Sequence, residues 1–181
     1  YLSLNKNNKV CFTGFSLGGG CAFGAATLAL CLIREAEDGK RVGCAMNAPA
    51  MHYGTFLGSA IELIMNEDAI REEDHDDDQW RHKFHTTLFG VTSAVFLPVL
   101  QERRTVLGDE NLKMGSLKCA SMLHDGVVRG CRTEETRIMM KHTPCFGEPT
   151  LKYIPGGHPF GFLFRCVFQY NLIIETIDEL K

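Results

Sequence analysis

The sequence predicts an α/β fold in which helices flank a mostly parallel β-sheet. Short apolar runs rich in β-forming residues alternate with longer helix-forming segments. The first of these runs leads into a serine and a string of glycines, which open an alanine-rich segment. The next ends at Asn47-Ala48-Pro49, a sequence typical of a turn after a strand. Strands and helices that alternate in this order favour parallel pairing, because each helix carries the chain back to the start of the next strand.

The first part of the chain supplies most of the predicted elements. Residues 10–13 predict a buried strand, residues 18–37 a helix, and residues 41–46 a second strand. Asp38-Gly39 is the expected stop signal of the helix. A second helix over residues 55–63 runs into the apolar stretch 61–65, which predicts a further strand.

The second part is less regular. Residues 72–149 predict an irregular insertion with one or two helices, over residues 112–123 and 134–141. Residues 151–157 then predict a strand that ends in a glycine turn. We expect the chain to be a single partial domain over residues 1–181, because its first strand comes very early.

The most informative motif is Gly14-Phe15-Ser16-Leu17-Gly18, a G-x-S-x-G pattern between a predicted strand and a predicted helix. That context is the one a nucleophile elbow requires. The turn is so sharp that side chains at Gly14 and Gly18 are expected to collide with their neighbours. Ser16 would stand above the sheet, and the backbone N–H of Leu17 would point at an oxyanion. The alternative is a glycine-rich turn that carries a solvent-exposed serine.

Composition excludes several functions. The net charge of −3 gives no basic patch for nucleic acid. The eight cysteines show no C-x-x-C pair and no zinc spacing, and four of them lie in apolar runs, which indicates reduced thiols in the cytosol. No apolar run reaches the length of about 18 residues that a membrane span needs.

The acidic run 71–78 is expected to be solvated and mobile. Its alternative as a calcium loop lacks the glycine and glutamate spacing of an EF-hand. A metal site is one interpretation of three histidines near aspartates, His75, His82 and His85, but the sequence there contains no ligand motif such as H-E-x-x-H. The apolar stretch 84–100 favours core packing over a lid that leans on a lipid surface.

Four segments together resemble the class 3 lipases, and within them the sn-1-specific diacylglycerol lipase branch. Residues 12–20 are similar to the family's elbow, commonly T-G-H-S-L-G-G, although Phe15 stands where the family has histidine. Residues 44–49 resemble its next strand, and residues 151–156 its later strand that leads into Pro-Gly. Residues 63–71 resemble its acid segment, a strand followed by D-x-V-P-R, with one residue missing.

This resemblance implies an α/β-hydrolase serine esterase that acts on acylglycerols without a cofactor. Ser16 would be the nucleophile and Asp68 the acid, in the nucleophile–acid–histidine order of that fold. The intervening chain is long enough to bring Asp68 to the edge of the sheet where Ser16 lies. Alternatively, Asp68 simply belongs to the acidic run beside it. The insertion at 72–149 resembles that branch's regulatory loop. Within it, the apolar segment 89–100 and the acidic stretch would gate an acyl groove.

The histidine of such a triad is harder to assign. His142 and His158 come late enough in the chain, and His158 follows a strand and a glycine turn. In the family the catalytic histidine comes later still, so it could lie beyond Lys181. The early position of the elbow likewise predicts that the amino-terminal strands of the fold are missing.

The sequence therefore predicts hydrolysis of acylglycerol esters by Ser16, Asp68 and His158, with the N–H of Leu17 in the oxyanion hole. The partners expected are an acylglycerol substrate and a peripheral membrane surface, in the cytoplasm or at the cytoplasmic face of a membrane. One alternative is an inactive, truncated lipase-like module that binds lipid or protein. Another is an acyl-transferring or peptide-cleaving α/β-hydrolase, because the elbow alone does not choose the acyl group.

Overall fold

The computed structural model describes residues 7–49, 99, 102–106, 112–125, 137, 141, 145–146, 148–157 and 162–181. Within them the chain forms four strands: β1 (Val10–Phe15), β2 (Val42–Asn47), β3 (Ser116–Met122) and β4 (Thr150–Ile154). Helix α1 (Leu17–Leu32) follows β1, a 3₁₀ helix (Ala36–Arg41) precedes β2, and helix α2 (Phe162–Glu179) follows β4.

The four strands form one sheet in the order β1-β2-β3-β4, and all three neighbouring pairs are parallel. Phe15 pairs with Asn47, which in turn pairs with Ala120. Because parallel strands point the same way, the segments that follow them all emerge at the carboxyl edge of the sheet. The predicted fold class, a mostly parallel sheet with flanking helices, is confirmed.

The two helices cover opposite faces of the sheet. Phe23 and Leu30 of α1 belong to one buried cluster, together with Met46. Leu172 of α2 belongs to a second buried cluster on the other face, with Ala45 of β2. Strands β2 and β3 are buried along their whole length, as expected for parallel strands with helices on both sides.

A group of charged residues joins α2 to the sheet. Lys118 is buried on β3, and its Nζ lies 2.5 Å from Oε1 of Glu179. The hydroxyl of Ser116 donates a 2.7 Å hydrogen bond to the other oxygen of Glu179. One turn earlier on α2, Glu175 pairs with Lys152 of β4. A buried ammonium group is costly without such a partner, so these contacts fix how α2 lies on β3.

Helix α1 ends earlier than predicted. It stops at Leu32 rather than residue 37, because Ile33 is extended with φ −68° and ψ 153°. Asp38-Gly39, predicted as the stop signal, lies inside the 3₁₀ helix instead. Arg41 is buried there, pairs with Asp38 and donates a 3.2 Å hydrogen bond to the carbonyl oxygen of Asn8.

The helix predicted over residues 112–123 is wrong, because residues 116–122 form strand β3. Buried on both faces, this strand carries no clear alternation, and the charge of Lys118 is met by a partner from α2. Tertiary contacts therefore override the local preference. The strand belongs to the sheet although it lies within the range 72–149, where the sequence predicts an irregular insertion.

Several predictions fall outside the described residues. They concern the helix at 55–63, the strand at 61–65, the acidic run at 71–78, and His75, His82 and His85. Among the helices that the structure does describe, none has both the length and the apolar character that crossing a bilayer requires.

Candidate functional site

Ser16 occupies a strained position between β1 and α1. Its φ is 54° and its ψ is −125°, values close to those of the first central residue of a type II′ turn, where glycine is normally required. A residue other than glycine costs about 1–3 kcal/mol in such a region, and positions of this kind cluster at active sites. The serine therefore stands where a glycine would be more stable, which makes it a candidate functional residue.

The backbone around Ser16 is held by hydrogen bonds to both flanking elements. Its N–H donates a 3.0 Å bond to the carbonyl oxygen of Asn47, at the last residue of β2. Its own carbonyl oxygen accepts a 2.9 Å bond from the N–H of Gly19, in the first turn of α1. The strained residue is thus fixed between the sheet and the helix.

The glycines around Ser16 differ in what they permit. A Cβ on Gly14 would lie 2.0 Å from the carbonyl oxygen of Gly18, which a folded elbow cannot accommodate. The expected collision at Gly18 is wrong, because a Cβ there would meet no described atom within 4 Å. Gly19 is confined instead, since its Cβ would lie 3.0 Å from that of Pro49. Close packing therefore requires glycine at position 14 and leaves little room for a side chain at position 19.

Leu17 is the first residue of α1, so its N–H has no acceptor within the helix. The first turn contains no acidic residue. The amino terminus of a helix carries a partial positive charge, which stabilises a nearby anion. An oxyanion formed when the Ser16 hydroxyl attacks a carbonyl carbon would therefore meet a favourable field at the amino terminus of α1.

The end of β2 lies next to Ser16 and has unusual features of its own. Ala48 has a positive φ of 43° and donates a 2.7 Å bond to the carbonyl oxygen of Ala120. The side chain of Asn47 is 0% exposed, and neither of its polar atoms has a hydrogen-bond partner among the described residues. Buried amides are nearly always paired, because an unpaired one costs free energy. This amide marks the site as locally suboptimal for stability.

The segments that follow β3 and β4 are bonded to each other at the same edge. The N–H of Leu123 donates to the carbonyl oxygen of Ile154 at 3.0 Å, and that of His124 donates to the carbonyl oxygen of Gly156 at 3.1 Å. A Cβ on Gly157 would lie 2.9 Å from the carbonyl oxygen of His124. The turn after β3 and the turn after β4 therefore form one packed unit.

Two residues of this unit carry chemistry that the sequence analysis did not assign. His124 is exposed, whereas the next residue, Asp125, is only 6% exposed. The sequence places both at the end of a predicted helix, which hides the fact that they follow a strand. Asp68 and His158, the acid and histidine predicted from the sequence, lie outside the described residues. His158 comes directly after Gly157 in the chain.

Cysteine is a poor alternative nucleophile in this part of the chain. Burial raises the pKa of the Cys11 thiol to about 11, and the backbone of Ala45 lowers it only in part. Burial also raises the pKa of Cys44 well above its ordinary value, and the nearby Cys119 and Cys11 raise it further. A thiol needs to ionise in order to attack, so these groups are unreactive near neutral pH.

Two solved structures are similar to this chain at low identity. A monoacylglycerol lipase from Paleococcus ferrophilus is 12% identical with a TM-score of 0.42, over 93% of this chain and 70% of its own. A thermophilic esterase from Thermogutta terrifontis, in its malate-bound form, is 13% identical with a TM-score of 0.42, over 99% of this chain and 68% of its own. No protein-family model and no curated protein matches the chain.

Proposed function

We propose that this chain is a serine hydrolase that cleaves carboxylic esters of acylglycerol lipids, with Ser16 as the nucleophile. The observation that carries the proposal is the backbone of Ser16, a non-glycine residue at φ 54° between a parallel strand and a helix. Folding holds this costly conformation at the carboxyl edge of the sheet, where ligands of open α/β sheets bind. A serine that served only as a surface residue would gain nothing from it.

The mechanism follows from this position. The Ser16 hydroxyl attacks the acyl carbonyl carbon while a histidine takes its proton. The N–H of Leu17 donates a hydrogen bond to the oxyanion of the tetrahedral intermediate. The histidine then protonates the departing alcohol, and water releases the fatty acid from the acyl-enzyme. The sequence offers His158 for the histidine and Asp68 for the acid that orients it.

The choice of acylglycerols rests on the resemblance of four sequence segments to the class 3 lipases. A lipid substrate also fits action at a membrane surface. We propose that the protein is located in the cytosol or at the cytoplasmic face of a membrane. All seven cysteines in the described part of the chain are free thiols, which supports a reducing compartment. The proposal includes no metal or organic cofactor, because acyl transfer to serine needs none.

Ester hydrolysis by matched serine variants tests the proposal. Nitrophenyl esters of short and long acyl chains are compared with a diacylglycerol, using the full chain, Ser16→Ala and Ser116→Ala. Ser116 lies at the opposite end of the sheet beside Glu179, so its variant controls for loss of a hydroxyl. We expect Ser16→Ala to lose activity on every ester and Ser116→Ala to keep it. An inactive wild-type chain with a cooperative unfolding transition would instead favour the lipase-like binding module.

A further inference from the structure

A buried carboxylate lies at the same edge of the sheet as Ser16. Asp125 is 6% exposed and follows the last residue of β3 by only a short turn. Its N–H donates a 3.3 Å bond to the carbonyl oxygen of Met122, so the turn holds the residue close to the strand end. Aspartate is almost never buried to this degree unless it is paired. A hydrogen-bonding or positively charged partner is therefore expected for this carboxylate.

The strand order gives the separation from the nucleophile. Ser16 follows β1, Asp125 follows β3, and only β2 lies between these two strands. Adjacent strands are about 4.8 Å apart, so β1 and β3 are separated by roughly 10 Å. Two hydrogen bonds of about 3 Å each, together with the imidazole ring between them, cover a comparable span. A histidine side chain can therefore bridge the two strand ends.

In the sequence, a histidine follows the turn that is bonded to the turn of Asp125. The turn that carries Asp125 is bonded to the turn after β4 through the His124–Gly156 hydrogen bond. Gly157 packs against the carbonyl oxygen of His124, and His158 is the next residue in the sequence. Along the chain the order is serine, aspartate, histidine, the order of the α/β-hydrolase triad.

We propose that Asp125 is the carboxylate that orients the histidine base and stabilises its protonated form during catalysis. It is a positioning residue, because it acts on the substrate only through the imidazole. This inference rests on the proposed function of Ser16, and it assigns to Asp125 the role that the sequence pattern offered to Asp68. The chain then needs no carboxylate from the acidic run to complete its catalytic group.

Asparagine variants of the two carboxylates decide between them. Asp125→Asn, Asp68→Asn and Asp178→Asn are compared by kcat and KM on a nitrophenyl ester, with Asp178 as an exposed control on α2. We expect Asp125→Asn to lower kcat by about 10³- to 10⁴-fold with KM little changed, because the amide favours the wrong imidazole tautomer. This loss should exceed that of Asp68→Asn at least tenfold, and Asp178→Asn should retain wild-type kcat. The reverse ranking of the two losses would overturn the assignment.

A second measurement separates positioning from a structural effect. In a His158→Gln background the additional loss from Asp125→Asn should vanish, because residues that act as one unit are not additive. Full additivity of the two losses would contradict the proposal. If Asp125→Asn fails to fold, Asp125→Glu replaces it. This variant keeps the carboxylate but displaces it, so we expect a smaller loss in kcat that likewise vanishes in the His158→Gln background. Loss of activity in Ser16→Ala is scored separately, so failure of the nucleophile assignment is distinguishable from failure at Asp125.

Discussion

The backbone N–H of Ser16 donates a 3.0 Å hydrogen bond to the carbonyl oxygen of Asn47. This bond ties the strained turn after β1 to the last residue of β2. It fixes the serine at the edge of the sheet, while the side chain of Asn47 stays buried without a described partner. Within the described residues, the strained backbone of Ser16 and the unpaired side-chain amide of Asn47 both lower stability, and they lie side by side where the proposed chemistry takes place. This is expected when function and stability compete.

Replacement of Ser16 by glycine should abolish hydrolysis and leave the chain at least as stable as Ser16→Ala. Both variants lack the hydroxyl, but only glycine accepts a φ of 54° without a steric penalty. We expect Ser16→Gly to exceed Ser16→Ala in free energy of unfolding by about 1 kcal/mol. Urea denaturation measures the difference. A glycine variant clearly less stable than the alanine variant would show that the turn is not strained.

Gly14→Ala and Gly18→Ala should differ sharply in stability. The added methyl group at position 14 would lie 2.0 Å from the carbonyl oxygen of Gly18, and the backbone has to move to admit it. We expect a loss of about 3 kcal/mol or more in free energy of unfolding. At position 18 the methyl group meets no described atom, and alanine favours the helix by about 0.5–1 kcal/mol. Equal effects of the two changes would contradict the described elbow.

Asn47→Leu should preserve or raise the stability of the chain. The amide is 0% exposed and has no hydrogen-bond partner among the described residues. Its removal therefore eliminates a desolvation cost that no hydrogen bond offsets. Thermal and urea unfolding of the variant measure the effect. A loss of more than about 2 kcal/mol would show that the amide makes a hydrogen bond in the folded protein.

Glu179 should make stability depend on acid pH. Burial raises the pKa of this carboxyl, but hydrogen bonds from Lys118 and Ser116 and the charges of Lys118 and Lys152 outweigh it, so the pKa falls below its ordinary value of 4.5. A lowered pKa in the folded state stabilises the protein above pH 4.5, and this contribution is lost as the pH falls through the folded pKa. Because the Glu179 side chain is 52% exposed, we expect less than about 1 kcal/mol.

The matched comparison for this prediction is Glu179→Gln against Asp178→Asn, its exposed neighbour on α2. The stability difference between wild type and Glu179→Gln should be largest near neutral pH and should shrink below pH 4.5. Asp178→Asn should follow the wild-type curve. A difference that grows on acidification would reverse the sign and contradict the described contacts with Lys118.

The sequence predicted those elements whose local geometry requires particular residue types. The turn at Ser16 needs Gly14, and Ala48-Pro49 follows the end of β2 at Asn47, so both strands and the parallel arrangement were predictable. Strand β3 was not, because burial on both faces removes the alternation that distinguishes a strand from a helix. The position of Asp125 at the sheet edge was hidden for the same reason.

The sequence pattern also does not show which of the two glycines in the motif is sterically required. Gly14 and Gly18 are equivalent in the G-x-S-x-G motif, yet only Gly14 faces the helix backbone closely. α1 ends at Leu32, and in the 3₁₀ helix that follows, the buried Arg41 contacts the distant residue Asn8. Such contacts become visible only once the chain is folded.

The most direct test of the nucleophile is the site of covalent labelling by a fluorophosphonate probe, which reacts with activated serine hydroxyls. The folded full-length chain is labelled near neutral pH, digested and mapped by mass spectrometry, with a heat-unfolded sample as the control for unspecific reaction. We predict a single adduct on Ser16 that is absent from the unfolded sample. An unlabelled Ser16 in the folded chain, or equal labelling of several serines in both samples, would contradict the assignment.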